Sequence, residues 1–149
     1  MIKVSISSPQ EKMELPFQQL RTAVTTVLEG EKVGNAKIVL AFVEDQTIAR
    51  LNMQFLQHEG PTDVLTFPYS GKKSKLLEGE IVIGVEVAMR EAAERGHAVE
   101  NELILYSIHG ALHLCGYDDH DDEEQILMRQ KEREYLKKLS LPDITSTEE

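Results

Sequence analysis

His109-Gly110-Ala111-Leu112-His113-Leu114-Cys115-Gly116-Tyr117-Asp118-Asp119-His120 decides how this chain of 149 residues is read. Two histidines four residues apart lie on one face of a helix, one turn from each other. Neutral imidazoles placed that way can share one transition-metal ion, with zinc the expected one, at Zn–N distances of about 2.0–2.1 Å. Gly116 then ends the helix as a residue that tolerates positive φ. The chain can turn back there and offer a third ligand from the run Asp118, Asp119, His120. Three protein ligands leave a fourth position for water, the arrangement of a catalytic metal rather than a structural one. The run before the motif, Leu103-Ile104-Leu105-Tyr106-Ser107-Ile108, is apolar nearly all round. A helix of that kind is buried, and two histidines on a buried helix call for a partner.

Working outward, that helix is expected from about Ala98 to Cys115. Glu102 lies two turns before His109, too far to bind the same ion, but able to orient a group nearby. Residues 3–8 alternate like a strand, and 36–44 read as a buried strand from the run Ile38-Val39-Leu40-Ala41-Phe42-Val43. Phe17, Leu20, Ala23, Val24, Val27 and Leu28 recur at helical spacing and predict a helix over 16–30, closed by Gly30. Asp45 reads as the N-cap of a helix running to Phe55. Strands are expected at Val64–Tyr69 and Gly79–Val85, joined by a polar loop over Ser70–Lys75. A helix to about Arg95 follows, broken by Gly96. A last helix spans about Glu123–Leu139, on which Ile126, Met128, Arg129 and Arg133 read as ordinary surface and core. Residues 140–149 are expected to form a frayed tail. The whole is an α+β arrangement: a small four-stranded mixed sheet with about five helices, in a single domain over 1–149.

Composition narrows the class. Hydrophobic content of 41% and charged content of 28% suit a globular chain with a real core. No apolar run reaches the roughly 18–20 residues that span a bilayer, and the start of the chain lacks a signal-peptide core. One cysteine, Cys115, permits no internal disulfide and suits a reducing cytoplasm. Cys115 lies about 200° around the helix from His113 and reads as a buried thiol. A formal net charge of −10 argues against non-specific binding to polyphosphate. Lysines at 72, 73 and 75 and the basic residues of 129–138 still allow a local basic surface.

A second stretch, Gly60-Pro61-Thr62-Asp63-Val64-Leu65-Thr66-Phe67-Pro68, reads as a turn feeding an edge strand. Taken with His-Gly-x-Leu-His-Leu-x-Gly-Tyr-Asp, with Leu51-Asn52 and with Gly79-Glu80-Ile81-Val82-Ile83, it resembles the YbeY family of bacterial endoribonucleases over roughly residues 36–135. The resemblance implies a small mixed sheet with a metzincin-like zinc helix. It also implies metal-dependent cleavage of single-stranded RNA in small-subunit rRNA 3′-end maturation and ribosome quality control. Ribosomal small-subunit proteins or an assembly GTPase are the implied protein partners. One zinc ion per chain would be held at relative positions 0, 4 and 10, which are His109, His113 and Asp119. Many relatives carry His at the third position. Spacing favours Asp119, imidazole chemistry favours His120, and His120 stays the alternative third ligand. Asp63 and Asp118 are candidate carboxylates beside the ion, each also readable as a turn or cap acid.

Two further positions shape the expected chemistry. Many relatives carry Arg after the position of Phe55, a natural phosphate partner; this chain has Leu56, then Gln57 and His58, with His58 reading as an exposed loop residue. Gly110 stands where zinc peptidases of the H-E-x-x-H type place their general base, so peptide hydrolysis is disfavoured. The rival reading is a non-catalytic, zinc-stabilised ribosome-assembly factor.

Overall fold

The computed structural model describes residues 1–71 and 74–145. The elements are β1 (Ile2–Ser7), α1 (Phe17–Gly30), β2 (Ala36–Val43), α2 (Asp45–Leu56), β3 (Val64–Pro68), β4 (Leu77–Gly84), α3 (Val85–Arg95), α4 (Val99–Leu114) and α5 (Asp122–Lys138). The four strands form one mixed sheet in the order β1-β2-β4-β3. β1, β2 and β4 run parallel, and β3 returns antiparallel along the β4 edge, Thr66 opposite Ile81. This is the expected α+β architecture.

Strand alternation divides the apolar residues between two faces. Ile38, Leu40 and Phe42 of β2, with Ile81 and Ile83 of β4, join α1, α4 and α5 in the main core. Ala41, Val43, Leu65 and Val82 face the other way and are covered by Ile48 and Leu51 of α2. α4 lies between β3, β4, α1, α3 and α5, which explains why its sequence is apolar around nearly its whole circumference. Gly110 permits its approach to the sheet: a Cβ there would stand 2.5 Å from Ile81 Cγ2. The position that lacks the peptidase glutamate is thus one where the sheet leaves no room for a side chain.

Two local expectations need correction. Asp45 is not the N-cap of α2. Glu44 holds that place, with no side-chain cap, while both carboxylate oxygens of Asp45 are taken by Arg90 at 2.8 and 3.1 Å. The segment after α5 is not frayed over 141–145. Ile144 and Thr145 are buried, Leu141 packs on the core, Arg95 donates to the Ile144 carbonyl, and Arg133 pairs with Asp143 at 3.3 Å. Buried apolar side chains dock this segment where a tail rich in polar residues suggested none. The rest of the expected tail, 146–149, lies outside the described residues, as do Lys72 and Lys73 of the 70–75 loop.

Candidate metal centre

The site is built at the C-terminal end of α4. Three backbone amides close the helix: Cys115 N–H donates to Ala111, Gly116 to His113 and Tyr117 to Leu112, at 3.0 Å each. The last two bonds form a Schellman motif, which needs a left-handed residue at Gly116, and its φ is +107°. Five residues later Asp121 caps α5 in a capping box with Glu124. The connecting loop is short and tied at both ends. Gln125 Nε2 also donates to the Asp119 carbonyl at 3.1 Å, and the Tyr117 hydroxyl donates to Glu31 at 2.7 Å.

This anchoring turns Asp119 back toward the helix. Asp119 Oδ2 lies 3.4 Å from His109 Nε2 and 3.6 Å from His113 Nε2, and the two Nε2 atoms are 3.1 Å apart. The imidazole planes cross at 81°. Atoms each about 2.0–2.1 Å from one tetrahedral centre stand roughly 3.3 Å from one another, so the three measured edges fit a shared small cation. These residues form the one group among those described whose ligand atoms could hold a metal ion. A partial negative charge at the helix C-terminus adds to the attraction for a cation.

The other sequence candidates stand outside this triangle. The His120 ring is 80% exposed and lies 3.9 Å from Asp118, outside the group of ligand atoms formed by His109, His113 and Asp119. Asp118 Oδ1 is 3.8 Å from His113 Nδ1, beyond hydrogen-bonding distance. Asp63 accepts from its neighbour's Val64 N–H at 2.7 Å and lines, with His109, a cavity of about 990 Å³. Glu102 is fully buried but answers to Arg95 at 3.3 Å and to His97. Cys115 faces the core, and burial pushes its thiol up to about 11. Leu56 and His58 are exposed.

Glu132 is the residue that sequence reasoning missed. Its side chain is completely buried. One oxygen lies 2.6 Å from His109 Nδ1, and the other accepts from Arg129 at 2.9 Å. The signal was present, because Met128, Glu132, Tyr135 and Leu136 are the buried stripe of α5, and one member of that apolar stripe is a carboxylate. Arg129, read as plain surface, is held by it. Burial lowers the proton affinity of His109, but the bond to Glu132 and the charges of Glu132, Asp63 and Asp119 together outweigh it and leave its pKa raised. Burial, and then the adjacent His109, hold His113 below its usual value.

The donor set passes a chemical test for a cation. A carboxylate behind Nδ1 places the His109 ring proton there, so its Nε2 presents a lone pair toward Asp119 Oδ2. Two acceptors at 3.4 Å repel unless a proton or a metal ion sits between them.

The family model described as endoribonuclease YbeY matches residues 5–140. A protein named endoribonuclease YbeY from Pelotomaculum thermopropionicum is 40% identical over 129 residues, covering 82% of this chain and 85% of that relative. Its namesake from Carboxydothermus hydrogenoformans is 36% identical, covering 91% and 96%. The solution structure of TM1509 from Thermotoga maritima is similar with a TM-score of 0.63 at 30% identity, covering 93% of this chain and 89% of that one.

Proposed function

Since this chain belongs to the YbeY family, we propose that it is a zinc-dependent endoribonuclease. It cuts single-stranded RNA and acts in small-subunit rRNA 3′-end maturation and ribosome quality control in the cytoplasm. The observation that carries this reading is the triangle of His109 Nε2, His113 Nε2 and Asp119 Oδ2 with edges of 3.1, 3.4 and 3.6 Å. His109, His113 and Asp119 are the three ligands of one zinc ion per chain, which leaves the fourth position open. Bound zinc supplies Lewis acidity toward a phosphoryl oxygen and toward water. The chain's own groups do the rest. Gly110 leaves no carboxylate beside the first histidine, which turns the site away from peptides. Asp63, exposed on the wall shared with His109, is the carboxylate placed to take a proton from an attacking water. The Arg129 guanidinium, half exposed on the same wall, is the cation available to a phosphate where Leu56 offers none. Ribosomal small-subunit proteins or an assembly GTPase are the protein partners of this reading.

A second reading, a zinc-stabilised assembly factor without catalysis, is favoured by one feature. Asp63, Glu91, Glu94 and Asp143 line the cavity beside His109 and oppose an incoming phosphodiester. Elemental analysis and RNA cleavage on one panel separate the two. Wild type should carry about one zinc, lost in His113→Ala and Asp119→Ala and kept in His120→Ala, and cleavage of single-stranded RNA should vanish with the metal. Zinc without turnover would leave the assembly factor, and no zinc after reconstitution would overturn the metal site.

A further inference from the structure

Among the described residues two glutamates are fully buried, Glu102 and Glu132, and they do different things. Glu102 is closed off by Arg95 and His97, neither of them in the His109–His113–Asp119 cluster. Glu132 divides its oxygens between a proposed metal ligand, His109, and the Arg129 guanidinium. Its neighbours on the buried face of α5 are Met128, Tyr135 and Leu136. An apolar residue at 132 would fill that stripe without the desolvation that a buried charge suffers.

We propose that Glu132 is a positioning residue: it fixes the His109 ring with its proton on Nδ1 and its Nε2 lone pair aimed into the cluster, so that metal affinity depends on a residue of α5 that never meets the ion. The inference rests on the metal-site reading above. A carboxylate is acceptor-only, so the 2.6 Å contact with Nδ1 requires the proton on that nitrogen. A neutral imidazole then has Nε2 free to donate its lone pair, and carboxylate–histidine–zinc chains of this kind orient ligands and raise their basicity. The counter-charge is built in, because Arg129 donates to the second oxygen at 2.9 Å. His113 has no buried carboxylate behind its Nδ1: Asp118 is 3.8 Å from that nitrogen and half exposed, and the His113 ring bonds instead to the Tyr117 backbone. His109 is therefore the ligand of the pair whose orientation depends on α5.

Glutamine at 132 keeps the shape but has one acceptor oxygen for two donors, so either His109 or Arg129 meets an N–H instead. Zinc affinity by chelator competition should fall about tenfold in Glu132→Gln and toward a hundredfold in Glu132→Ala. Nitrogen-15 NMR of the zinc-free protein should show the His109 proton on Nδ1 in wild type and redistributed in both variants. Glu102→Gln, which removes the other buried charge, should leave zinc affinity and the His109 tautomer unchanged. Zinc affinity within threefold of wild type in both Glu132 variants, with the proton still on Nδ1, would overturn the proposal. Wild type that binds no zinc would instead overturn the metal site, and the tautomer measurement would still decide whether Glu132 holds His109. If Glu132→Ala does not fold, the isosteric glutamine carries the test.

Discussion

Gly110→Ala should destabilise this protein although alanine is the better helix former. In a helix interior alanine gains about 1 kcal/mol over glycine. Against that, the new Cβ would stand 2.5 Å from Ile81 Cγ2 and 3.3 Å from its Cγ1, where carbon pairs rest at about 3.5–4.0 Å. Neither side can swing clear. The Cβ is fixed to the α4 backbone, and Ile81 is fully buried and stiff at χ1. Relief requires α4 to move off β4. Overpacking costs about 1–3 kcal/mol, and an overlap between two such fixed atoms belongs at the upper end of that range. The net loss is then about 1–2 kcal/mol, which at a slope of roughly 2 kcal/mol per molar lowers a urea midpoint by about 0.5–1 M.

A double-mutant cycle isolates the clash from the propensity gain. Ile81→Ala alone leaves a cavity that costs about 2–5 kcal/mol, and a methyl at 110 partly fills it. The double variant should therefore be more stable than the sum of the single losses by at least about 1 kcal/mol. Zinc content should fall in Gly110→Ala as well, because α4 carries His109 and His113 together while Asp119 stays with a loop tied to α5. A Gly110→Ala protein more stable than wild type, with an additive cycle, would refute the close approach and the account of why no side chain occupies that position.

Three other outcomes are expected. Stripping zinc with a chelator should lower Tm in wild type but not in His113→Ala: occupancy at a hundred times Kd contributes about 2.7 kcal/mol, or roughly 5–11 °C for a chain of this size. Burial would raise the Glu31 carboxyl, but Tyr135, Tyr117 and Lys131 outweigh it and hold its pKa below the ordinary 4.5; its contribution is therefore present above that value and lost as pH falls through the lower folded one, so Glu31→Gln should destabilise at pH 7 and progressively less on acidification, read from urea midpoints across pH 2–7. Truncation after Ser140 removes Ile144 and Leu141 from the core and should cost at least about 2 kcal/mol by the same assay, whereas a frayed segment would cost nothing.

Long periodic elements were legible in the sequence because their burial pattern is local. α1 shows its buried Leu20, Ala23, Val24, Val27 and Leu28 at helical spacing, and β2 shows a continuous apolar run because both of its faces are covered. The partners of those elements were not. That β3 returns antiparallel on the β4 edge, or that Ile144 reaches Arg95, depends on contacts between distant residues that no spacing encodes. The metal centre divides along the same line. Gly116 is punctuation that can be read in advance, and with the Asp121–Glu124 box that the structure shows it leaves only residues 117–120 to return to the helix. Which of Asp119 and His120 faces the histidines is another matter: it is set by a backbone anchor from Gln125, a contact outside the motif. Glu132 is further from reading still, because which α5 side chains meet His109 follows from how α5 crosses α4. A carboxylate at a core position was the available sign. A charge that the packing would not choose indicates something on the facing helix that requires it, and here the facing group is the first histidine of the motif.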